Sequence, residues 1–286
     1  MGTRDTTVQS DIRTNQSTIT SVQIFMPITR AWRVAAAAQM FAKLDQSGYD
    51  CELLVCIDNA EITEHYVRNA FEKWEIPLKY RIIHTGKYPV GEVNMARRRD
   101  RIVDMLTFAS KHINNTDFVF MVEDDTEIKP STLHDLMASY NACEQAGMKV
   151  GFVEGVQVGR HGYRMIGAWR CDDLENPTVM ETVPYNQKDL LEKIDGGGLY
   201  CFVVRTPLFK AHKWYWHHEC FSVDVTFGIE LRKQGYQNII DWTVQTGHCQ
   251  NDALPLYPSD RCVVVRYEVQ PEGHWLLMND RKGYIS

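Results

Sequence analysis

Short apolar runs alternate along the chain with longer stretches in which apolar residues recur every three or four positions. Runs at 22–27, 51–57, 80–84 and 118–122 have the length and the aromatic and β-branched content of strands. Between them, 31–46 is an alanine-rich helical segment ended by Gly48, with side chains small enough for close packing on a sheet. Residues 62–74 place Ile62, Tyr66, Ala70, Phe71 and Trp74 on one helical face, and 93–111 predicts a longer helix with Ile102, Val103, Leu106 and Ala109 inward. A helix over 131–146 and a strand over 149–158 follow. This alternation implies an α/β fold with a mainly parallel sheet covered on both faces, whose ligands bind beyond the carboxyl ends of the strands.

After Gly159 the pattern changes to strands separated by long irregular connections such as 171–186, so this half reads as mixed α+β. No repeat or low-complexity block separates the halves. We therefore expect a single domain over 22–286, with halves at 22–158 and 159–286, after a polar arm at 1–21 rich in Thr, Ser, Gln and Asp.

Composition narrows the classes. The 286 residues suffice for a full core, and 44% hydrophobic with 24% charged content is ordinary for a globular protein. A formal charge of -6 gives no overall attraction to polyanions, which disfavours a high-affinity nucleic-acid binder and leaves only a local basic groove open. No apolar run of about 18 residues or more and no signal pattern is present, so a cytoplasmic location is expected. The eight cysteines show no paired metal-ligand spacing and sit mostly in apolar runs, as reduced core thiols do.

Chemistry concentrates at a few places. Glu123, Asp124 and Asp125 directly follow the apolar run 118–122. Three such acids cannot be buried together without a cation, and a hard divalent ion that keeps positions open for phosphate oxygens suits carboxylates at a strand end. A solvated turn capping the next helix explains them as well. The basic cluster Arg97, Arg98, Arg99 and Arg101 opens a helix, where cations oppose the dipole unless an anion is near. Arg97 or Arg98 is expected to face that anion, with Arg99 and Arg101 on a solvated face. Gly196 and Gly197, after Asp195, permit close approach of a ligand, or simply form a turn. Asp224 stands where a first-turn acid or N-cap belongs, and His248 follows a strand beside Gly247. Trp214, Tyr215, Trp216, His217, His218 and Phe221 offer aromatic faces to an acceptor, or pack on the core.

The order of these motifs resembles inverting glycosyltransferases of the GT-A fold, most closely the large family 2 type, over about 22–248. The stretch Phe25-Met26-Pro27-Ile28-Thr29-Arg30 is similar to the family's first-strand end, and Cys56-Ile57-Asp58-Asn59 to the second-strand acid that holds the base. Ala96-Arg97-Arg98 stands where an Ala-Arg-Asn run is common, Glu123-Asp124-Asp125 at the DxD position, and Val223-Asp224 with Phe227, Leu231, Arg232, Gly235 and Tyr236 at the Glu-Asp segment and its helix. Three departures matter. The triplet is Glu-Asp-Asp, Val223 replaces the usual Glu, and Arg98 replaces Asn.

The resemblance implies a Rossmann-like nucleotide-sugar-binding half at 22–158 and an acceptor half at 159–286. It implies Mn2+ or Mg2+ on Asp125 and His248, and a nucleotide-sugar donor, a UDP-sugar foremost, held by Pro27, Thr29, Arg30, Asp58, Arg97, Arg98, Glu123 and Asp124. It implies an acceptor saccharide or other hydroxyl-bearing molecule, a modified DNA base included, near Gly196, Gly197 and Trp216, and Asp224 as the base of an inverting transfer. A transmembrane segment is not expected, which favours transfer of one sugar over polymer extrusion. The rival readings are a nucleotidyltransferase acting on a sugar phosphate, whose Gly-rich loop is missing between Ile28 and Trp32, and a non-catalytic nucleotide or carbohydrate binder.

Overall fold

The computed structural model describes residues 19–85, 95–159, 164–186, 188–216, 222–249, 254–269 and 275–278, with 95–98 and 275–278 described by backbone alone. Most of the expected arm lies outside these residues; its last two, Thr20 and Ser21, already belong to the first strand.

The first half runs β1 (Thr20–Ile28), a 3-10 turn at Ala31–Arg33, α1 (Val34–Ala42), β2 (Tyr49–Ile57), α2 (Glu64–Lys73), β3 (Lys79–His84), α3 (Met95–His112), β4 (Phe118–Val122), β5 (Thr126–Glu127), α4 (Thr132–Gln145) and β6 (Val150–Val156). The second half is strand-rich. It runs β7 (Ala168–Cys171), β8 (Val179–Thr182), β9 (Leu191–Ile194), β10 (Gly196–Gly197), β11 (Cys201–Arg205), α5 (Thr206–Ala211), α6 (Val223–Lys233), β12 (Gln237–Gln245), β13 (Gly247–His248), β14 (Arg266–Val269) and β15 (Trp275–Met278).

Eight strands form the main sheet in the order β3-β2-β1-β4-β11-β6-β12-β9. Only β11 and β9 run against the others, so the sheet is mostly parallel and the fold is α/β. Alternate side chains of β1 enter the two cores. Val22, Ile24, Met26 and Ile28 join α1, α2 and α4 on one face, while Phe25 joins α3, α5 and α6 on the other. All five residues of β4 are buried, as an apolar run covered on both faces requires. Each such Val or Phe contributes roughly 1.5–3 kcal/mol relative to exposure. A second sheet, β10-β7-β8-β14-β15, lies beside the first, and β13 pairs with β5.

Two expected elements differ in detail. The helical α1 starts only at Val34, after the 3-10 turn, and ends at Ala42. In α2, capped by the Thr63 side chain, the buried residues are Val67 and Phe71, while Tyr66 and Trp74 are 46% and 37% exposed. The apolar stripe is thus rotated from the expected one, because rings with a polar edge tolerate the surface better than Val or Phe. The strand β14 begins at Arg266 and pairs with β15, which forms the edge of the second sheet. No described cysteine is in a disulfide. Among the described residues no helix is long and apolar enough to cross a membrane.

Candidate functional site

The carboxyl ends of β1, β2, β4, β6 and β12 share one edge of the main sheet, and Thr29, Asp58, Asp124 and Asp125 closely follow the first three of these strands. The β1–β4 ladder stops at Phe25 opposite Met121, so beyond it the two strands part. Pro27, buried and unable to donate a hydrogen bond, sits past that last pair. Asp124 spans the opening: its Oδ2 accepts from the Thr29 and Arg30 backbone N–H groups at 2.7 and 2.8 Å and from Thr29 Oγ1 at 3.2 Å. Its carbonyl accepts from Arg33 Nε at 2.8 Å. Asp124 therefore shapes the loop after β1. Glu123 is half-buried, and its N–H donates to the Tyr200 carbonyl at 2.9 Å.

Arg30 supplies the positive charge that the buried acids demand. Its Nη1 binds Asp124, and its Nη2 lies 2.9 Å from Asp125 Oδ2. Burial pushes the Asp124 carboxyl above its ordinary range and Arg30 opposes that shift. The β5–β13 ladder then sets His248 opposite Thr126, beside Asp125. His248 Nδ1 is 2.6 Å from the Val158 carbonyl, which can only accept, so Nδ1 carries the hydrogen. Its buried Nε2 has no hydrogen-bond partner and lies 3.4 Å from Asp125 Oδ2. A lone pair facing a carboxylate oxygen needs a cation between them, either a proton on Nε2 or a metal ion. A His that donates its other N–H to a backbone carbonyl is the usual orientation of a metal-ligating imidazole. Asp125 and His248 thus fit a divalent ion, although among the described residues no third His, Cys, Asp or Glu joins them as a cluster.

At the end of β2, Asp58 is 2% exposed, and its carboxylate accepts from Thr85 Oγ1 and pairs with Arg101 Nε. Arg101, expected on a solvated face, points inward. So does Arg99, which is 8% exposed with its guanidinium 5.5 Å from the centre of the Trp216 ring. The side chains of Arg97 and Arg98 lie outside the described residues.

Asp224 occupies the first turn of α6, as its sequence position predicts, and accepts from Ser222 Oγ. Burial raises its carboxyl above the ordinary range, while the Ser222 hydrogen bond and the nearby Arg99 charge pull the other way. The glycines before β11 are crowded by the chain itself. A Cβ on Gly196 would come 3.2 Å from Val225 Cα, and one on Gly197 would collide with the Glu154 carboxylate. Close approach here is made by α6 and Glu154. Trp216 is half-buried and donates from Nε1 to Asp100 at 2.8 Å. Trp214 is a core residue bonded to Ser110, which is the packing alternative for the aromatic cluster; His217, His218 and Phe221 lie outside the described residues.

Three features of the edge were not anticipated. Glu154 is fully buried in β6, and its single charge inside the apolar run 150–158 was the available signal. Arg99 and Arg101 were assigned to solvent because helix periodicity cannot say which turn faces a cleft. Arg33, on the Asp124 carbonyl, carries no sequence signal beyond its charge.

No protein-family model matches the sequence, and the search of curated proteins returns no match. Solved structures do resemble it in fold. "A197 from STIV" aligns over 93% of this chain and 98% of its own at 12% identity and TM-score 0.43. A mannosyltransferase from Pyrobaculum calidifontis, in complex with GDP-Man and Mn2+, aligns over 77% of this chain at 13% identity and TM-score 0.47. TarS residues 1–349 of S. aureus, in complex with UDP-GlcNAc, align over 84% at 16% identity and TM-score 0.43. The chain spans 54% and 58% of those last two chains. All three scores lie below 0.5, and the functional reading rests on this chain's own residues.

Proposed function

We propose that this chain is a GT-A-type glycosyltransferase of the family 2 kind, moving one sugar from a nucleotide-sugar, a UDP-sugar foremost, onto an acceptor hydroxyl with inversion. The observation that carries this reading is the buried His248 Nε2 facing Asp125 Oδ2 across 3.4 Å. An imidazole in the ligand pair favours Mn2+ over Mg2+, which prefers oxygen ligands. When bound, the ion supplies charge stabilisation to the departing diphosphate.

The chain's own groups do the rest. Asp124 would hold the Thr29–Arg30 loop in place for the nucleotide, and Arg30 would offer its charge to the phosphates. Asp224 takes the proton from the acceptor hydroxyl as its oxygen bonds to the anomeric carbon. The sugar–phosphate bond breaks with its electron pair leaving on the nucleoside diphosphate. The raised affinity of Asp224 for a proton suits a general base at neutral pH.

Incubation with UDP-, GDP- and dTDP-sugars and Mn2+ tests the reading. Slow release of nucleoside diphosphate is expected. Pyrophosphate released from a nucleoside triphosphate and a sugar phosphate would mean a nucleotidyltransferase, and neither product would mean a non-catalytic binder.

A further inference from the structure

Glu154 is used by no step above, yet it is the most isolated acid among the described residues. It sits in the interior of β6, paired in register with Phe202 of β11 on one side and Ile240 of β12 on the other. It is 0% exposed, and neither carboxylate oxygen has a hydrogen-bond partner. Gly197 leaves the space that the carboxyl fills, and the adjoining Gly196 lies against Val225 Cα, one residue from Asp224. Glu154 and the first turn of α6 thus lie against adjoining glycines of one short strand. A fully buried carboxylate without a hydrogen bond or counterion is far costlier than a buried neutral acid.

We propose that Glu154 is a positioning residue for Asp224: it stands behind the base as a protonated acid, so that the pair carries one negative charge and Asp224 carries it. This rests on the transferase reading for its role, though not for its chemistry. The surroundings agree. Among the described residues, the titratable groups that act on Glu154 or feel its charge are Asp224 from α6, Tyr200 at the turn before β11 and Cys201 within β11, and none of the three brings a positive charge. Arg99 of α3 acts on Asp224. Tyr200 spends its hydroxyl on the Gly167 carbonyl at 3.4 Å and accepts from the Gln157 N–H at 3.3 Å. Burial first, and the Asp224 charge second, hold the Glu154 proton on well above the ordinary value of 4.5. An ionised Glu154 would repel the Asp224 carboxylate from its place on Ser222.

The sign of the pH effect follows. Between the ordinary and the raised value Glu154 is protonated when folded and ionised when unfolded, so its contribution to stability is lost as pH rises. Glu154→Gln keeps the shape and removes the titration. Melting of the full chain from about pH 5 to about pH 9 is expected to show wild type losing Tm relative to Glu154→Gln as pH rises, and parallel curves overturn the proposal. Should Glu154→Gln fail to fold, wild type labelled with carboxyl-13C glutamate decides the matter by infrared spectroscopy. A protonated glutamic-acid carbonyl band persisting at about pH 7 supports the proposal, and its absence overturns it. In the transfer assay, wild-type kcat/KM is expected to fall on the alkaline side and Glu154→Gln to lack that fall; an unchanged alkaline limb removes the coupling to Asp224. If no donor is turned over at all, the transferase reading fails, while the melting and infrared results still decide the state of Glu154.

Discussion

Asp224 and Arg30 carry the sharpest consequences of single side chains. On the proposed mechanism, Asp224→Asn preserves volume but could not accept the acceptor's proton, so kcat should fall about 10²–10⁴-fold with donor affinity nearly unchanged, as read by steady-state turnover and donor titration. Arg30 Nη2 lies 2.9 Å from Asp125 Oδ2, so a divalent ion bound at the proposed site would compete with it and work against its charge. Arg30→Met should therefore tighten Mn2+ binding by about tenfold, roughly 1.4 kcal/mol, in a titration that follows free Mn2+ by electron paramagnetic resonance; an unchanged Kd would show that the guanidinium does not stand in the ion's way. Sequence made the acids readable, because adjacent carboxylates after an apolar strand demand a cation. It could not reveal that the nearest cation is Arg30, since that pairing joins residues 94 and 95 positions apart and depends on where β1 and β4 part. Glu154 was hidden for the opposite reason: it has no partner to suggest.

Between elements, the decisive contact is the docking of α6 on β10. Gly228 lies inside α6, and a Cβ there would stand 2.5 Å from the Asp195 carbonyl oxygen and 2.7 Å from Gly196 Cα. In an isolated helix Gly→Ala gains about 1 kcal/mol. Here the obstacles are backbone atoms that cannot rotate away, and overpacking of this kind costs roughly 1–3 kcal/mol or more. Gly228→Ala is thus expected to lower stability in chemical denaturation and to displace the first turn that carries Asp224; a stabilised variant would mean that the helix sits less tightly than described. Periodicity placed the strands and helices of the first half well, because most of the strands are short apolar runs buried on both faces and the helices bury one face each. It misjudged α2, where Tyr66 and Trp74 count as apolar in a pattern but stay at the surface. The glycine run before β11 was legible as a place of close approach. What approaches, a helix and a buried acid from β6, is a property of the assembled sheet.

Across the whole molecule, ligand binding at the proposed site should be visible as stability, because its proposed residues come from β1, β2, β4, β13, α6 and the loops beside them. A ligand that binds only the folded chain stabilises it by about 2.7 kcal/mol at a hundredfold excess over Kd. For a chain of this size that corresponds to a rise in Tm of about 4–5 °C. A matching nucleotide-sugar with Mn2+ is expected to produce such a shift, and EDTA to remove most of it. His248→Ala separates the ion from the nucleotide. The variant deletes Nε2 while leaving the β5–β13 ladder, which uses backbone groups, free to form. It should keep the part of the shift that the nucleotide produces alone and lose the part that Mn2+ adds. A full Mn2+-dependent shift in His248→Ala would place the ion elsewhere and leave the 3.4 Å approach of His248 to Asp125 as a protonated ion pair.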